Sequence, residues 1–316
     1  MKANAAGFKQ LSEQIENNIN QVMIGKESVI ESLIIAMTAG GHVLIEDVPG
    51  IGKTTLVSSF ARSLSLSFKR IQFTPDLMPS DVTGFNLYNQ KTHEFEFQPG
   101  SVMSQIVLAD EINRTSPKTQ SALLEVMQEG QVTVDGTSYQ VPQPFMVLAT
   151  QNPIEHVGTY TLPEAQLDRF MLKISLGYPS PEEEVQILRL YDEENPIERV
   201  RPVAGAQQVL WMREQARLVH CADSIKYYIA RLTEASRQHP EVKLGASPRA
   251  SKMLMQAAKA RALIKGRTYV RPDDVQMMAT QVLAHRLNML PESKLRRVTA
   301  ESVILEVLDR TPVPES

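Results

Sequence analysis

The chain has 316 residues, 42% of them hydrophobic and 22% charged, which is the composition of a soluble globular protein with one large or two ordinary domains. Its 33 basic and 36 acidic residues leave a net charge of -3, so no overall positive field attracts nucleic acid. The single cysteine, Cys221, excludes an internal disulfide, and with the lack of a long apolar run it predicts a cytoplasmic protein without a membrane span.

Two helices are predicted at the start of the chain, and the first is amphipathic. Apolar residues recur at helical spacing over residues 8–23, and a second helix is expected over about 27–39. Gly25 lies between them, and glycine disfavours a continuous helix. The pattern therefore predicts two consecutive helices ahead of the first strand.

The stretch 43–55, VLIEDVPGIGKTT, is predicted to form a strand, a tight loop and the start of a helix. Its apolar run ends at a turn with Pro49, Gly50 and Gly52, and apolar residues at helical spacing follow Lys53. Such a loop directs backbone N–H groups and the positive end of a helix dipole at one anion, and glycine allows close approach. These properties are typical of a phosphate-binding loop.

The same loop predicts a nucleotide and a metal ion. The Lys53 ammonium would reach the β- and γ-phosphates, and the Thr54 hydroxyl would ligate Mg²⁺, which prefers hard oxygen ligands. Asp47 stands where the pattern G-x-x-x-x-G-K-[ST] has its first glycine, so a simple Gly-Pro turn stays an alternative from these residues alone. The predicted nucleotide-binding residues of the loop are Pro49, Gly50, Ile51, Gly52, Lys53, Thr54 and Thr55.

A second strand is predicted over 69–73, and a long segment rich in Pro, Gly and Asp follows over 74–100. Segments of this length inside a compact domain are usually functional or inserted. This one contains an alternating aromatic patch around Phe95 and Phe97, as expected of a ribbon with one exposed face, and packing against a neighbouring subunit is an equal alternative.

Two carboxylates, Asp110 and Glu111, end the run IVLADE at 106–111, which is typical of a strand buried at the centre of a parallel sheet. Ligands of open α/β sheets bind at the carboxyl ends of the strands, so both would lie beside Lys53 and Thr54. Asp110 would position Mg²⁺, and Glu111 would orient the water that attacks the γ-phosphate. An isolated acidic pair could equally be a solvated strand end.

A helix, a hairpin and another buried strand come next. Ser116 and Pro117 predict the start of the helix, and the Asp-Gly turn near its end predicts a hairpin over about 130–145. Residues 145–150 read as a buried strand, and Asn152 follows it at the same sheet edge. There it could hydrogen-bond the γ-phosphate or its water, although an Asn before Pro is otherwise an ordinary turn residue.

The last core strand is predicted over 171–176, and a Gly-Tyr-Pro sequence then marks a boundary between domains at 1–177 and 178–316. The second domain is predicted to be helical, with helices at about 205–220, 223–238, 247–264 and 272–287. Ser247 and Pro248 place Arg249 in a first turn, where the helix dipole disfavours a cation unless an anion lies in front of it. The alternative is a surface arginine that extends into water.

The order of these motifs resembles the AAA+ ATPases, and several runs are similar to the MoxR family in particular. They are EDVPGIGKT, PSDVTG, LADEINR, SPKTQSALLEVMQEGQVTVDG, ATQNP and LPEAQLDRF, within a similarity over about residues 20–290. The resemblance implies an α/β fold, a P-loop αβα core with a parallel sheet followed by an all-helical lid, with inserts at about 77–105 and 130–145. It also accounts for Asp47, since EDVPG is usual in that family.

The resemblance also implies a role for each matching residue. The roles are Walker A for Lys53 and Thr54, Walker B for Asp110 and Glu111, sensor 1 for Asn152, arginine finger for Arg169, sensor 2 for Arg249, and backbone near adenine for Ile24 and Gly25. Thr54 and Asp110 would be the residues nearest the metal.

At the level of function, the resemblance implies an ATPase that uses ATP and Mg²⁺ in a homo-oligomeric ring, usually a hexamer, because the arginine finger acts on a neighbour's nucleotide. It further implies a chaperone-like remodeller of a protein partner, often with a von Willebrand factor A domain protein, in enzyme maturation or metal-cofactor insertion. Two alternatives are a nucleic-acid motor, which the acidic net charge disfavours, and a small-molecule kinase, which disagrees with a carboxylate suited to activating water.

Overall fold

A computed structural model describes residues 3–153, 159–193 and 195–314. The helices in chain order are α1 (Ala5–Asn20), α2 (Glu27–Ala39), α3 (Lys53–Ser63), α4 (Pro79–Thr83), α5 (Pro117–Glu129), α6 (Glu164–Leu167), α7 (Pro181–Glu193), α8 (Ala206–Leu218), α9 (Asp223–Gln238), α10 (Pro248–Ile264), α11 (Pro272–Leu283), α12 (Pro291–Leu295) and α13 (Ala300–Arg310). The strands are β1 (Val43–Glu46), β2 (Phe68–Gln72), β3 (Gly84–Asn89), β4 (Glu94–Pro99), β5 (Ile106–Asp110), β6 (Gln131–Val134), β7 (Thr137–Gln140), β8 (Met146–Gln151), β9 (Leu172–Ile174), β10 (Val242–Leu244) and β11 (Asn288–Met289).

Five strands form a parallel sheet in the order β2-β5-β8-β1-β9. Successive residues of β1 point to opposite faces, so Val43 and Ile45 enter one apolar core and Leu44 enters another. Helices cover both faces, which explains why the central strands are almost entirely apolar. The predicted αβα core with a parallel sheet is confirmed.

The helices near the start of the chain share their apolar core with helices far downstream. Phe8 of α1 and Leu33 of α2 are fully buried in the same cluster as Leu254 and Ala257 of α10. Burying each of the Phe and Leu side chains contributes roughly 1.5–3 kcal/mol. This apolar core therefore contains residues from both sides of the domain boundary predicted at residue 177. The boundary itself stays a prediction.

The region after β9 is helical, as predicted, and α9 has the predicted bounds. The helix predicted over 272–287 ends instead at Leu283, and a 3₁₀ turn, Ala284–Arg286, follows it. A short antiparallel pair, β10 and β11, was not predicted. Strands of two or three residues are too short to show an alternating pattern.

The insert predicted at 77–105 contains α4 and a hairpin formed by β3 and β4. Phe97 on β4 stacks on Tyr139 of the β6–β7 hairpin, with ring centroids 3.9 Å apart and planes at 10°. Asn86 Nδ2 also donates to Asp135 Oδ2 at 2.8 Å. Phe95 is 71% exposed, as predicted, whereas Phe97 and Tyr139 face each other, so the two inserts are in contact.

No helix within 3–153, 159–193 or 195–314 combines the length and the apolar character needed to cross a bilayer. Cys221 is a free, buried thiol.

Candidate active site

The loop between β1 and α3 has the geometry of an anion-binding turn. Gly50 and Gly52 have φ angles of 87° and 90°, which residues with a Cβ atom rarely adopt. Gly52 is the N-cap of α3, which begins at Lys53, so the first N–H groups of the helix face the loop. The Lys53 ammonium donates to the Asp47 carbonyl oxygen at 2.8 Å.

Asp47, the departure from the general phosphate-loop pattern, has a structural explanation. Its side chain is buried, and its Oδ1 accepts from the Ser175 hydroxyl at 2.8 Å while its Oδ2 accepts from the Leu176 amide. The carboxylate thus satisfies the chain just after β9 and fastens it to the start of the loop. A glycine at position 47 could not make these bonds.

Asp110 lies at the end of β5 with both carboxylate oxygens occupied. Its Oδ1 accepts from the Thr150 hydroxyl of β8 at 2.6 Å, and its Oδ2 accepts from Arg70 Nη2 and Nε of β2 at 2.6 and 3.1 Å. Asp110 is 8% exposed, and buried carboxylates need such partners.

Glu111 directly follows and has a left-handed backbone, with φ at 57°. Its amide donates to the Thr150 hydroxyl at 2.8 Å, so one threonine orients both acidic residues. Its Oε2 accepts from Gln72 Nε2 at 2.6 Å and from Arg114 Nη1 at 2.9 Å. The carboxylate is thereby directed into the space in front of the phosphate loop.

These groups surround one cavity of about 340 Å³ at the carboxyl edge of the sheet. The residues that line it are Pro49, Gly50, Gly52, Lys53, Thr54, Thr55, Arg70, Gln72, Asp110 and Glu111. The cavity brings together an ammonium, a hydroxyl at a helix start and two carboxylates, which is a donor set for a triphosphate with a hard cation.

The residues fit Mg²⁺ in particular. Among the described residues, no group of three or more His, Cys, Asp and Glu side chains could hold a metal by itself. Mg²⁺ does not need such a cage, because it is commonly bound by one or two protein oxygens together with phosphates and water. Thr54 and Asp110, which face the same cavity, are suitable protein ligands.

An apolar cavity of about 420 Å³ adjoins the first. It shares Pro49, Gly50, Gly52 and Thr55 with the phosphate cavity and is also lined by Ile24, Ile51, Tyr178, Leu188 and Tyr191, among others. Gly25 has φ at 67°, and a Cβ there would overlap the Glu183 carboxylate of α7. A flat apolar group attached to a phosphate chain, such as a nucleobase, fits these two joined cavities.

Asn152 follows β8 at the same edge of the sheet and is 7% exposed. Asn152 is not among the described residues that line the phosphate cavity. Its role as a contact to the γ-phosphate stays a prediction.

Arg169 and Arg249 meet in a different cavity, of about 330 Å³, which we call the arginine surface and which also includes His42 and Lys252. It shares no lining residue with the phosphate cavity. Burial and the neighbouring Arg249 both lower the pKa of Arg169. Arg169 precedes β9 and His42 precedes β1, so this surface lies at the amino edge of the sheet.

Asp168 supplies the anion expected in front of Arg249. It accepts from Arg249 Nη1 at 3.4 Å, from Arg286 Nε at 2.9 Å and from the Ser247 hydroxyl at 3.1 Å. Ser247 is the N-cap of α10, as predicted. Burial lowers the pKa of Arg286 to about 10, against the opposing effect of Asp168, and the guanidinium stays charged at neutral pH.

His42 supports the arginine surface from beneath. Its Nδ1 accepts from the Val147 amide at 2.9 Å, and its Nε2 lies 3.0 Å from the Met127 carbonyl oxygen. Only the neutral ring with hydrogen on Nε2 satisfies both bonds. Burial lowers the pKa of His42 to about 4.

Sequence reasoning missed Arg70, Gln72, Thr150 and Asp168. The first three act across neighbouring strands, and Thr150 had only a weak signal, a hydroxyl at the end of an apolar run. Asp168 stood beside Arg169 in the sequence, but its three partners lie far downstream.

Comparison with known proteins agrees with this geometry. Residues 42–172 match the family described as ATPase family associated with various cellular activities (AAA), and residues 234–307 match the AAA lid domain. A crystal structure from Cytophaga hutchinsonii, described provisionally as an ATPase, is 38% identical with a TM-score of 0.92, over 99% of this chain and 97% of that chain. The fold, the lid and the phosphate cavity together define an ATPase of the AAA+ class.

Two curated relatives narrow the class. The chaperone MoxR1 of Mycobacterium tuberculosis is 41% identical over 306 residues, which cover 94% of this chain and 81% of that protein. The uncharacterized protein YeaC of Bacillus subtilis is 52% identical over 304 residues, which cover 96% and 95%. The chain belongs to the MoxR family of AAA+ ATPases.

Proposed function

We propose that this ATPase is a Mg²⁺-dependent, chaperone-like remodeller that acts on a protein partner as a homo-oligomeric ring, with six subunits as the expected number. The observation that carries the catalytic part is the meeting of Lys53, Thr54, Asp110 and Glu111 around one cavity that continues into an apolar one. In this proposal residues 1–177 form the nucleotide-binding core and 178–316 the lid.

Each group has a separate task in hydrolysis. Lys53 and the loop amides hold the β- and γ-phosphates, and Thr54 and Asp110 hold Mg²⁺, which when bound neutralises charge that develops on the phosphates. Glu111, directed by Gln72 and Arg114, orients the attacking water. Asn152 contacts that water or the γ-phosphate.

A pair of variants tests these assignments. Lys53→Ala should lose nucleotide affinity, because it removes the ammonium of the loop, whereas Glu111→Gln should bind ATP normally and hydrolyse it about 10²- to 10⁴-fold more slowly. Equilibrium binding and steady-state hydrolysis separate the two effects. Arg62→Ala, an exposed residue on the same helix as Lys53, and Glu234→Gln, an exposed residue of α9, are matched controls. Wild-type hydrolysis by Glu111→Gln would contradict the role of Glu111.

The positions of Arg169 and Arg249 support the proposal that the protein forms a ring. Both lie at the amino edge of the sheet, away from the phosphate cavity of their own chain. We infer that they act on the nucleotide of a neighbouring subunit, as an arginine finger and a sensor.

The partner would be engaged by the two hairpins. Phe85, Leu87 and Phe95 on β3 and β4 are 47%, 53% and 71% exposed, a high exposure for large apolar side chains. The family resemblance suggests a von Willebrand factor A domain protein as the partner, in enzyme maturation or metal-cofactor insertion. A pull-down with the Glu111→Gln variant in ATP should recover that partner, and the double variant Lys53→Ala/Glu111→Gln should not. Equal recovery by both would contradict an ATP-dependent interaction.

A further inference from the structure

Arg70 occupies the carboxylate that the proposed function assigns to the metal. Its guanidinium donates twice to Asp110 Oδ2, at 2.6 and 3.1 Å, while Thr150 occupies Oδ1 at 2.6 Å. Oδ2 therefore has both of its acceptor positions taken by the guanidinium, and a metal can bind this oxygen only if Arg70 moves away. Of the two partners of the carboxylate, Thr150 is fully buried and Arg70 is exposed.

The partner that can leave is thus Arg70. Its side chain is 48% exposed and lines the phosphate cavity, so it can swing into the solvent-filled space beside β2. Thr150 cannot move in this way, because it is enclosed between strands and also accepts from the Glu111 amide. The exposed position of Arg70 also means that its bond to Asp110 is moderate in strength, since solvent screens such pairs.

The charges around the phosphate cavity favour an exchange of Arg70 for a metal ion at Asp110. The cavity wall carries the cations Lys53 and Arg70 and the anions Asp110 and Glu111, so the site is balanced before a metal arrives. A divalent cation and a guanidinium that compete for one carboxylate oxygen exclude each other.

We propose that Arg70 is a positioning residue that holds Asp110 as an exchangeable counter-ion and is displaced when Mg²⁺ binds with the nucleotide. This inference rests on the proposed function, because it takes Asp110 as a metal ligand. Arg70 therefore sets the Mg²⁺ concentration at which the site reaches its full affinity for the nucleotide.

The displacement also reaches Glu111. Arg70 Nη2 donates to Gln72 Oε1 at 2.9 Å, and Gln72 Nε2 donates to Glu111 Oε2 at 2.6 Å. When Arg70 leaves Asp110, Gln72 loses one of the contacts that fix its amide. Metal arrival at Asp110 is thereby linked through two side chains to the carboxylate that orients water.

The test measures ADP binding by calorimetry in the full-length protein, from chelated to saturating Mg²⁺. ADP is not hydrolysed, so the readout is affinity and not turnover. Arg70→Ala should lower the Mg²⁺ concentration that gives half of the full gain in ADP affinity by about tenfold, because the competitor for Asp110 is gone. Arg70→Gln, which keeps hydrogen-bond donors but not the charge, should shift it in the same direction by less.

Lys69→Ala is the matched control. Lys69 is the preceding residue on β2, is exposed and carries the same charge, but it does not line the phosphate cavity, so the midpoint should stay at the wild-type value. A purely structural role for Arg70 would weaken ADP binding equally at every Mg²⁺ concentration and leave the midpoint in place, which would overturn the proposal. A wild-type protein whose ADP affinity ignores Mg²⁺ would instead overturn the metal role of Asp110 in the proposed function.

Discussion

The two edges of the central sheet differ in what they can do alone. The carboxyl edge holds the phosphate loop, both carboxylates and a cavity that continues into an apolar one. The amino edge holds Arg169 and Arg249, which share a cavity with His42 and Lys252. Strand β1, which separates the loop from His42, is four residues and so about 13 Å long.

From this difference we infer that nucleotide binding and hydrolysis depend on opposite edges of the sheet and can be separated by mutation. The carboxyl edge brings together the residues that we propose to hold the nucleotide and its metal ion, so we expect one subunit to bind ATP. Arg169 and Arg249 cannot serve the phosphate loop of their own chain from the opposite edge without a large rearrangement. We therefore expect full hydrolysis only where the two edges of different copies meet.

The largest expected effect comes from removing Arg169. Arg169→Ala should lower hydrolysis by about 10³- to 10⁵-fold, as arginines that act in trans do in related phosphate-loop systems, and leave ATP binding unchanged. Arg231→Ala, an exposed arginine of α9, is the control.

Mixing two kinds of variant subunit tests more directly whether Arg169 acts on a neighbouring subunit. Arg169→Ala subunits keep an intact phosphate cavity, and Lys53→Ala subunits keep an intact arginine surface, so mixed assemblies should recover part of the activity. No recovery, with subunit exchange verified, would mean that Arg169 does not act on a neighbour.

A smaller loss is expected from Arg249. Arg249→Ala should slow hydrolysis by about 10²-fold, the usual cost of one preorganised charge at a reacting group. Lys252→Ala, on the same helix and in the same cavity, should change the rate much less. Similar losses in both variants would show that the net positive charge of the surface matters and not the position of Arg249.

Low pH should destabilise the amino edge of the sheet, because His42 is protonated more readily in the unfolded chain. Because burial lowers its pKa to about 4 from an ordinary 6.5, the unfolded chain takes up the proton first as pH falls. Its contribution to stability is complete above pH 6.5 and is lost between about pH 6.5 and 4, which amounts to roughly 3 kcal/mol. Urea unfolding at both ends of that range measures the loss.

His42→Gln is the informative variant for this effect, because an amide can accept from Val147 and donate to Met127 without titrating. It should show a shallower pH dependence than the wild type. Identical slopes would assign the acid sensitivity to other groups, among them His285, whose pKa burial also lowers.

The smallest expected effect concerns the contact between the two inserts. A double-mutant cycle with Phe97→Ala and Tyr139→Ala should give a coupling free energy of roughly 0.5–1.5 kcal/mol from urea unfolding, since stacked aromatic pairs contribute about that much beyond burial. A cycle with Phe95→Ala in place of Phe97→Ala is the control, because Phe95 is largely exposed. A coupling near zero would mean that the two hairpins are independent.

Much of this arrangement could be predicted from the sequence because it is local. The loop glycines, the N-cap at Ser116 and the apolar run that ends in Asp110 each place their structure within a few residues. Side-chain partners across strands could not be predicted, since Arg70 reaches Asp110 only through the register of β2 and β5. The stacking of Phe97 on Tyr139 likewise depends on how the two hairpins pack against each other, which the hydrophobic pattern of the sequence does not reveal.

The left-handed backbone at Glu111 restricts the mutational tolerance of the site. At a φ of 57°, residues with a branched Cβ are strained, whereas glycine and asparagine adopt this conformation readily. In a saturation library selected for folding alone, we expect Val and Ile to be depleted at position 111 while Gly and Asn persist. A loss of activity in a β-branched variant would therefore mix a backbone defect with a missing carboxylate, and only unbranched substitutions such as Gln isolate the chemistry.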